Sequence, residues 1–135
     1  MVGVNWCHEN LQLPYTAALS YGPSMEPTLP TISIVIQKKA NREDLEVGSI
    51  VACKVFVPEY NEIKSLQKRI IAIGPCHITR EGTTHNVPED HIWIEGDNKK
   101  KSWDSRTFGP VPIEDVTYKS LFRLLPLKFD LSPVT

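Results

Sequence analysis

Neither end of this 135-residue chain offers an apolar run long enough to cross a bilayer as a helix, which takes roughly 20 residues. Residues 1–20 carry Asn5, His8, Glu9, Asn10, Gln12 and Pro14. They read as an N-terminal segment with no transmembrane helix, no apolar signal core and no Arg-rich transit peptide. Cysteine is scarce: Cys7, Cys53 and Cys76 are an odd number with no CxxC spacing. That argues against a zinc site and a disulfide framework and leaves three small apolar residues. The four histidines are scattered, and the adjacency of Cys76 and His77 is poor geometry for a Cys/His catalytic pair. No excess of basic charge exists either. Fifteen basic against 16 acidic residues leave a net charge of −1, so there is no footprint for nucleic acid. Internal repeats and heptads are missing too. No cofactor or metal site is expected.

Turn residues are abundant. Eleven prolines and seven glycines in one short chain favour many turns and short strands over long helices. A strand over 15–21 leads into a Pro-rich loop. Ile32, Ile34 and Ile36 alternate with Ser33, Val35 and Gln37, the period of two of a strand. Lys38 to Glu46 reads as a loop or one helical turn. Gly48 punctuates a strand from Ile50 to Val57, which Pro58 ends. Asn61 to Ile73 reads as another strand, buried at Ile70-Ile71-Ala72-Ile73 and closed by Gly74-Pro75. A small hairpin follows around Glu81-Gly82, then a strand over His91–Glu95, a polar loop from Gly96 to Arg106 and a last strand over Val116–Leu125. Six or seven short strands predict a mostly antiparallel β fold, partly closed or sandwiched, with short helical turns at most.

Three stretches have chemical potential. In Gly22-Pro23-Ser24-Met25-Glu26-Pro27-Thr28-Leu29, the prolines fix φ and remove two donors. The run is a stiff loop presenting Ser24, or simply a turn with a solvent-facing serine. Lys68 enters the apolar run 70–73. A lysine there either snorkels to water or is buried and loses affinity for its proton. To serve as a base at neutral pH it must fall roughly three units from about 10.4. The stretch from Gly96 to Gly109 holds three consecutive lysines, Ser102, Asp104 and Arg106. By composition it is a surface loop in which Asp104 and Arg106 can pair across a turn.

Read together, these stretches resemble the type I signal peptidase family of serine–lysine proteases, and within it the subunit 1 type of the mitochondrial inner membrane peptidases. The resemblance runs from about Ser20 to about Pro126. Gly22 to Leu29 resembles the serine box. Gly48-Ser49-Ile50-Val51 resembles the Gly-Asp-Ile-Val strand, Lys68 to Gly74 the lysine box, and Gly96 to Gly109 the Gly-Asp-Asn…Ser-x-Asp-Ser-Arg box. The resemblance implies that Ser24 is the nucleophile, that a neutral Lys68 is its general base, and that the Ser24 N–H is the main oxyanion donor. It also implies that Ser102 orients the lysine amine, that Asp104 and Arg106 form a bracing ion pair, and that Met25 packs beside the catalytic pair. Asp97 and Asn98 are structural for their loop. The sequence departs from the family in four ways. Gly22 stands where bacterial relatives have a hydroxyl, as in the mitochondrial branch. Gly74-Pro75-Cys76-His77 replaces Pro-Gly-Asp or Glu-Gly-Asp, and Ser49 replaces Asp. The family's N-terminal anchor is not evident.

The expected organisation is an N-terminal segment 1–20, a catalytic domain 21–127 of the type I signal peptidase kind, and a tail 128–135. The expected activity is removal of sorting peptides from preproteins bound as extended strands, with Ile32 and Ile34 as candidate groove residues. The resemblance implies an inner mitochondrial membrane location facing the intermembrane space, and a heterodimer with the second catalytic subunit. A bacterial-type leader peptidase and a non-catalytic β-domain that binds a protease partner are the alternatives.

Overall fold

The computed structural model describes residues 15–30 and 32–124. Expectations for 1–14 and for the 128–135 tail lie outside the described residues. The described residues form nine strands: β1 Tyr15–Tyr21, β2 Ile32–Lys39, β3 Ile50–Val57, β4 Glu62–Ile73, β5 Cys76–Arg80, β6 Thr83–Val87, β7 His91–Glu95, β8 Val111–Pro112 and β9 Val116–Leu124. The one α-helix among the described residues, α1 (Ser105–Phe108), is a single turn. All strand pairings are antiparallel. Mostly antiparallel β with short helical turns is thus the fold that the turn-rich sequence predicts.

Seven strands make one sheet in the order β1-β2-β9-β3-β4-β7-β8, and β5-β6 form a separate hairpin. β3 stands at the centre because both its faces are apolar. Ile50, Val51, Ala52 and Cys53 are all buried, and successive side chains of a strand point to opposite faces. Val51 and Cys53 join Ile70, Ile92, Ile94, Val111 and Val116 in one core cluster. Ile50 joins Ala18, Met25, Leu29 and Val35 in the other. The second cluster pulls β1, the Ser24 loop and β2 onto the sheet.

The sheet curls without closing. In a flat sheet, β1 and β4 would lie about 19 Å apart, at about 4.8 Å per strand. Instead both strands line one groove, floored by Gln37 of β2 and Ala52 of β3. The alternation in β2 is real, but its isoleucine face is the outer one: Ile32 is exposed, while Ser33, Val35 and Gln37 are buried. The β5-β6 hairpin packs on β7 through His85 against Trp93, with ring centroids 4.9 Å apart.

Candidate active site

Ser24 sits in a 3-10 turn, Pro23–Met25, entered from Gly22 at φ 109° and ψ 155°. That region is essentially open to glycine alone. A hydroxyl-bearing residue at position 22 would therefore meet backbone strain. Pro23 opens the turn, where its missing N–H goes unnoticed. Glu26 N–H donates to Pro23 O (3.1 Å) and Leu29 N–H to Met25 O (2.9 Å). Met25 and Leu29 anchor the turn in the core. Met25 thus packs with Ala18, Leu29, Val35 and Ile50. Among the described residues, neither the hydroxyl nor the N–H of Ser24 is taken up in a hydrogen bond.

The loop after β7 holds this turn from the other side. Asn98 N–H donates to Ser24 O at 2.8 Å, and Asn98 Nδ2 donates to Pro23 O at 3.1 Å. Asp97 accepts from Thr28 Oγ1 at 2.5 Å and from Arg69 Nε and Nη2, at 2.9 and 2.8 Å. Arg69 also donates to Gly48 O at 2.6 Å. Burial opposes ionisation of Asp97, but the Arg69 and Thr28 hydrogen bonds outweigh it and hold the carboxyl below its ordinary range. Lys68 and Arg69 are neighbours in β4, so they serve opposite sides of the sheet.

Gly96 is where the pieces meet. Its N–H is shared between Asp104 Oδ2 at 2.9 Å and Ser102 Oγ at 3.1 Å. A Cβ on Gly96 would lie 2.6 Å from both Ser24 O and Ser102 Cβ. Ser102 Oγ donates to Asp104 Oδ2 at 2.6 Å. Asp104 is fully buried and caps α1 by accepting from Arg106 N–H at 3.1 Å. It pairs with the Arg106 guanidinium at 3.0 and 3.1 Å. Burial works against its charge, yet Arg106, Ser102 and the Gly96 N–H together keep its pKa low.

Lys68 is 4% exposed and stands opposite Val51 in the β3–β4 register. Burial brings its pKa down from 10.5 to about 8; the Asp104 charge opposes that fall and the Arg106 charge assists it. Because Arg106 is paired to Asp104, the carboxylate cannot act on the lysine alone. Among the described residues, Lys68 makes no hydrogen bond or ion pair, and the Ser102 hydroxyl is directed to Asp104. The structure thus gathers Ser24, Ser102, Asp104 and Arg106 around Gly96, with Lys68 within the field of the Asp104–Arg106 pair.

Of the sequence departures, Gly22 enters the Ser24 turn itself, and the others lie in β5 and just before β3. Cys76 and His77 open β5, half-buried and exposed respectively. Ser49 is buried with its hydroxyl unpaired among the described residues. Sequence reasoning missed Arg69 and Glu95. The signal for Arg69 was its place beside Lys68, which sends it to the opposite face. Glu95, also buried, accepts from Trp93 Nε1, Arg80 Nε and Lys99 Nζ, each at 2.7 Å. Among the described residues no cluster of His, Cys, Asp and Glu can hold a metal, and no helix is long and apolar enough to cross a membrane.

The class of domain is an open, mostly antiparallel β-sheet that carries a serine turn, a buried lysine and a loop braced by the Asp104–Arg106 pair. The family description "Signal peptidase, peptidase S26" matches residues 77–125. The human mitochondrial inner membrane protease subunit 1 is 33% identical over 113 residues, 78% of this chain and 67% of that protein. The Schizosaccharomyces pombe protein of the same name is 31% identical over 131 residues, 91% of this chain and 80% of its own. The Arabidopsis thaliana mitochondrial ATP-independent inner membrane protease subunit 1b is 33% identical over 128 residues, 87% of this chain and 73% of its own. The chain belongs to the signal peptidase family. It spans about two thirds of the human relative's length.

Proposed function

We propose that this chain is a serine endopeptidase that uses Ser24 and Lys68 to remove sorting peptides from preproteins. The observation that carries the proposal is the state of Lys68, buried in β4 with its pKa brought down to about 8. Close to neutral pH a useful share of such an amine is unprotonated and can act as a base. It takes the Ser24 Oγ proton as the oxygen attacks the scissile carbonyl, and passes that proton to the leaving amine. In the second half it takes a proton from water, which attacks the acyl-enzyme, and returns it to Ser24. The unengaged Ser24 N–H is the oxyanion donor. The Asp104–Arg106 pair and Ser102 hold the surrounding loop.

The groove supports an extended substrate. It has a volume of about 500 Å³, and its walls are Leu19 to Tyr21 of β1 and Glu62 to Gln67 of β4. Both walls run into the site, since Tyr21 leads to Gly22 and Gln67 to Lys68. Ile32 and Ile34 are not among the residues that line it. The names of the relatives place those proteins at the mitochondrial inner membrane. By that likeness the substrates are preproteins sorted to the intermembrane space, and the partner is the second subunit of the inner membrane protease.

The test is cleavage of a presequence-derived peptide by Ser24→Ala and Lys68→Met chains. Ser24→Ala should abolish turnover, and Lys68→Met should lower kcat by about 10² to 10⁴-fold. Normal processing by either variant would falsify the dyad.

A further inference from the structure

We propose that Glu95 is a positioning residue that couples the β5-β6 hairpin to the turn carrying Ser24. The inference rests on the peptidase reading for its effect on turnover, but its structural half stands alone.

Glu95 is the last residue of β7 and directly precedes the Gly96–Asn98 loop. Its carboxylate is 1% exposed. Two cations from different parts of the chain meet it. Arg80 Nε, at the end of β5, donates to Oε2 at 2.7 Å. Lys99 Nζ, at the start of the 3-10 turn Lys99–Lys101, donates to Oε1 at 2.7 Å. The Trp93 indole N–H gives a third bond, to Oε2, at 2.7 Å. Burial raises the cost of the charge, and these donors together still keep the carboxyl below its ordinary range. Neither cation is itself deeply buried: Arg80 is 35% and Lys99 50% exposed. The carboxylate therefore depends on them more than they depend on it.

From Lys99 the connection runs on to the site. Arg106 Nη2 donates to Lys99 O at 2.9 Å while holding Asp104. Lys101 N–H donates to Asn98 O at 3.0 Å, and Asn98 N–H donates to Ser24 O at 2.8 Å. Glu95 thus sits at the root of the loop that clamps the nucleophile turn, and one of its anchors is the hairpin. If Arg80 is removed, the buried carboxylate keeps a single cation, Lys99, and the pull on the loop changes. A purely structural residue would only lower overall stability. A positioning residue changes the order of one distant amide and the turnover rate together.

The experiment uses the full chain with Arg80→Met, Arg80→Lys, Lys99→Met and Glu95→Gln substitutions. Amide hydrogen exchange is read at Asn98, and kcat and KM on a presequence-derived peptide. Arg80→Met should reduce protection of Asn98 N–H about tenfold or more, and lower kcat with KM nearly unchanged. Arg80→Lys should restore part of both. Lys99→Met, at a half-exposed side chain, should reproduce the loss even if Glu95→Gln does not fold. Exchange that quickens only within the hairpin, with Asn98 as protected as before, overturns the coupling. Absence of turnover in the unaltered chain, with Asn98 protection still dependent on Arg80, removes the peptidase reading and supports the coupling.

Discussion

A lysine buried at 4% exposure is a cost the fold carries, and the sign of that cost can be worked out. The folded pKa is about 8 against an ordinary value of 10.5. Between those values the unfolded chain holds a proton that the folded chain has released, so stability rises with pH across that window. The favourable contribution is complete above the unfolded pKa and is lost as pH falls through about 8. At pH 7 the lysine is mostly charged in both states and burial imposes nearly its full penalty of about 3 kcal/mol. Lys68→Met should therefore lower kcat by about 10² to 10⁴-fold yet stabilise the chain at pH 7 by up to about 3 kcal/mol. The gain should shrink when urea unfolding is repeated at pH 10. In the unaltered chain, kcat/KM should rise with pH through a midpoint of about 8 as the amine is freed. A variant equally stabilised at both pH values, or destabilised at pH 7, would contradict the desolvation account. Lys68 stood out in the sequence because the apolar run 70–73 begins just past Arg69 and because the stretch resembles the family's lysine box. Glu95 did not, because alternation in β7 marks only one buried face. Its opposite face, with Trp93 and Glu95, is covered by a hairpin that pairing rules do not announce.

At the scale of elements, the site is a junction of two loops, and Gly96 sets how closely they approach. Its φ is not positive, so conformational freedom is not the reason for a glycine there; space is. A methyl group would meet the Ser102 hydroxyl first, and it would also lie 2.6 Å from Ser24 O, which is backbone and cannot swing away. Gly96→Ala should push the Ser24 turn off the loop. Displacement of a reacting group by about 1 Å costs about 10²-fold, and overpacking costs about 1–3 kcal/mol. Steady-state kinetics with thermal unfolding checks this: the fall should appear in kcat at temperatures where the variant is folded, and an unchanged kcat would exclude the junction. Most elements could be read in advance because each had its own punctuation. β3 has the bounds set by Gly48 and Pro58, and β4 ends at Gly74-Pro75. Two could not. β8 has only two residues and exists through its pairing with β7. The four-residue α1 exists because Asp104 caps it within a polar loop. β2 was recognised by its period, but period cannot say which face turns inward. Tertiary packing chose Val35 over Ile34 and Ile36.

Across the whole molecule, sheet order leaves an open groove in which an extended chain has room to lie. β1 ends the sheet on one side, and β4 pairs with β7 only from Arg69 onward. The first half of β4 therefore has an edge without a strand partner among the described residues, and the curl of the sheet brings that edge across the groove from β1. Two open edges facing each other are suited to an extended peptide, which gains backbone hydrogen bonds there and places side chains alternately up and down. Ser65 lines this groove on β4, exposed and three residues before Lys68. It touches none of the groups proposed to carry out the chemistry. Ser65→Trp should fill the groove. Binding of an extended presequence-derived peptide to a Ser24→Ala chain should weaken about tenfold, the equivalent of about 1.4 kcal/mol. In the chain with Ser24 intact the same change should appear as a higher KM with kcat nearly kept, the signature of lost uniform binding. Stability should stay within about 0.5 kcal/mol, as for other exposed substitutions. Titration by fluorescence anisotropy separates the alternatives. Unaltered affinity with a folded Ser65→Trp chain would mean that peptides reach Ser24 by another path, and the two open edges would then be bare sheet edges with no part in recognition.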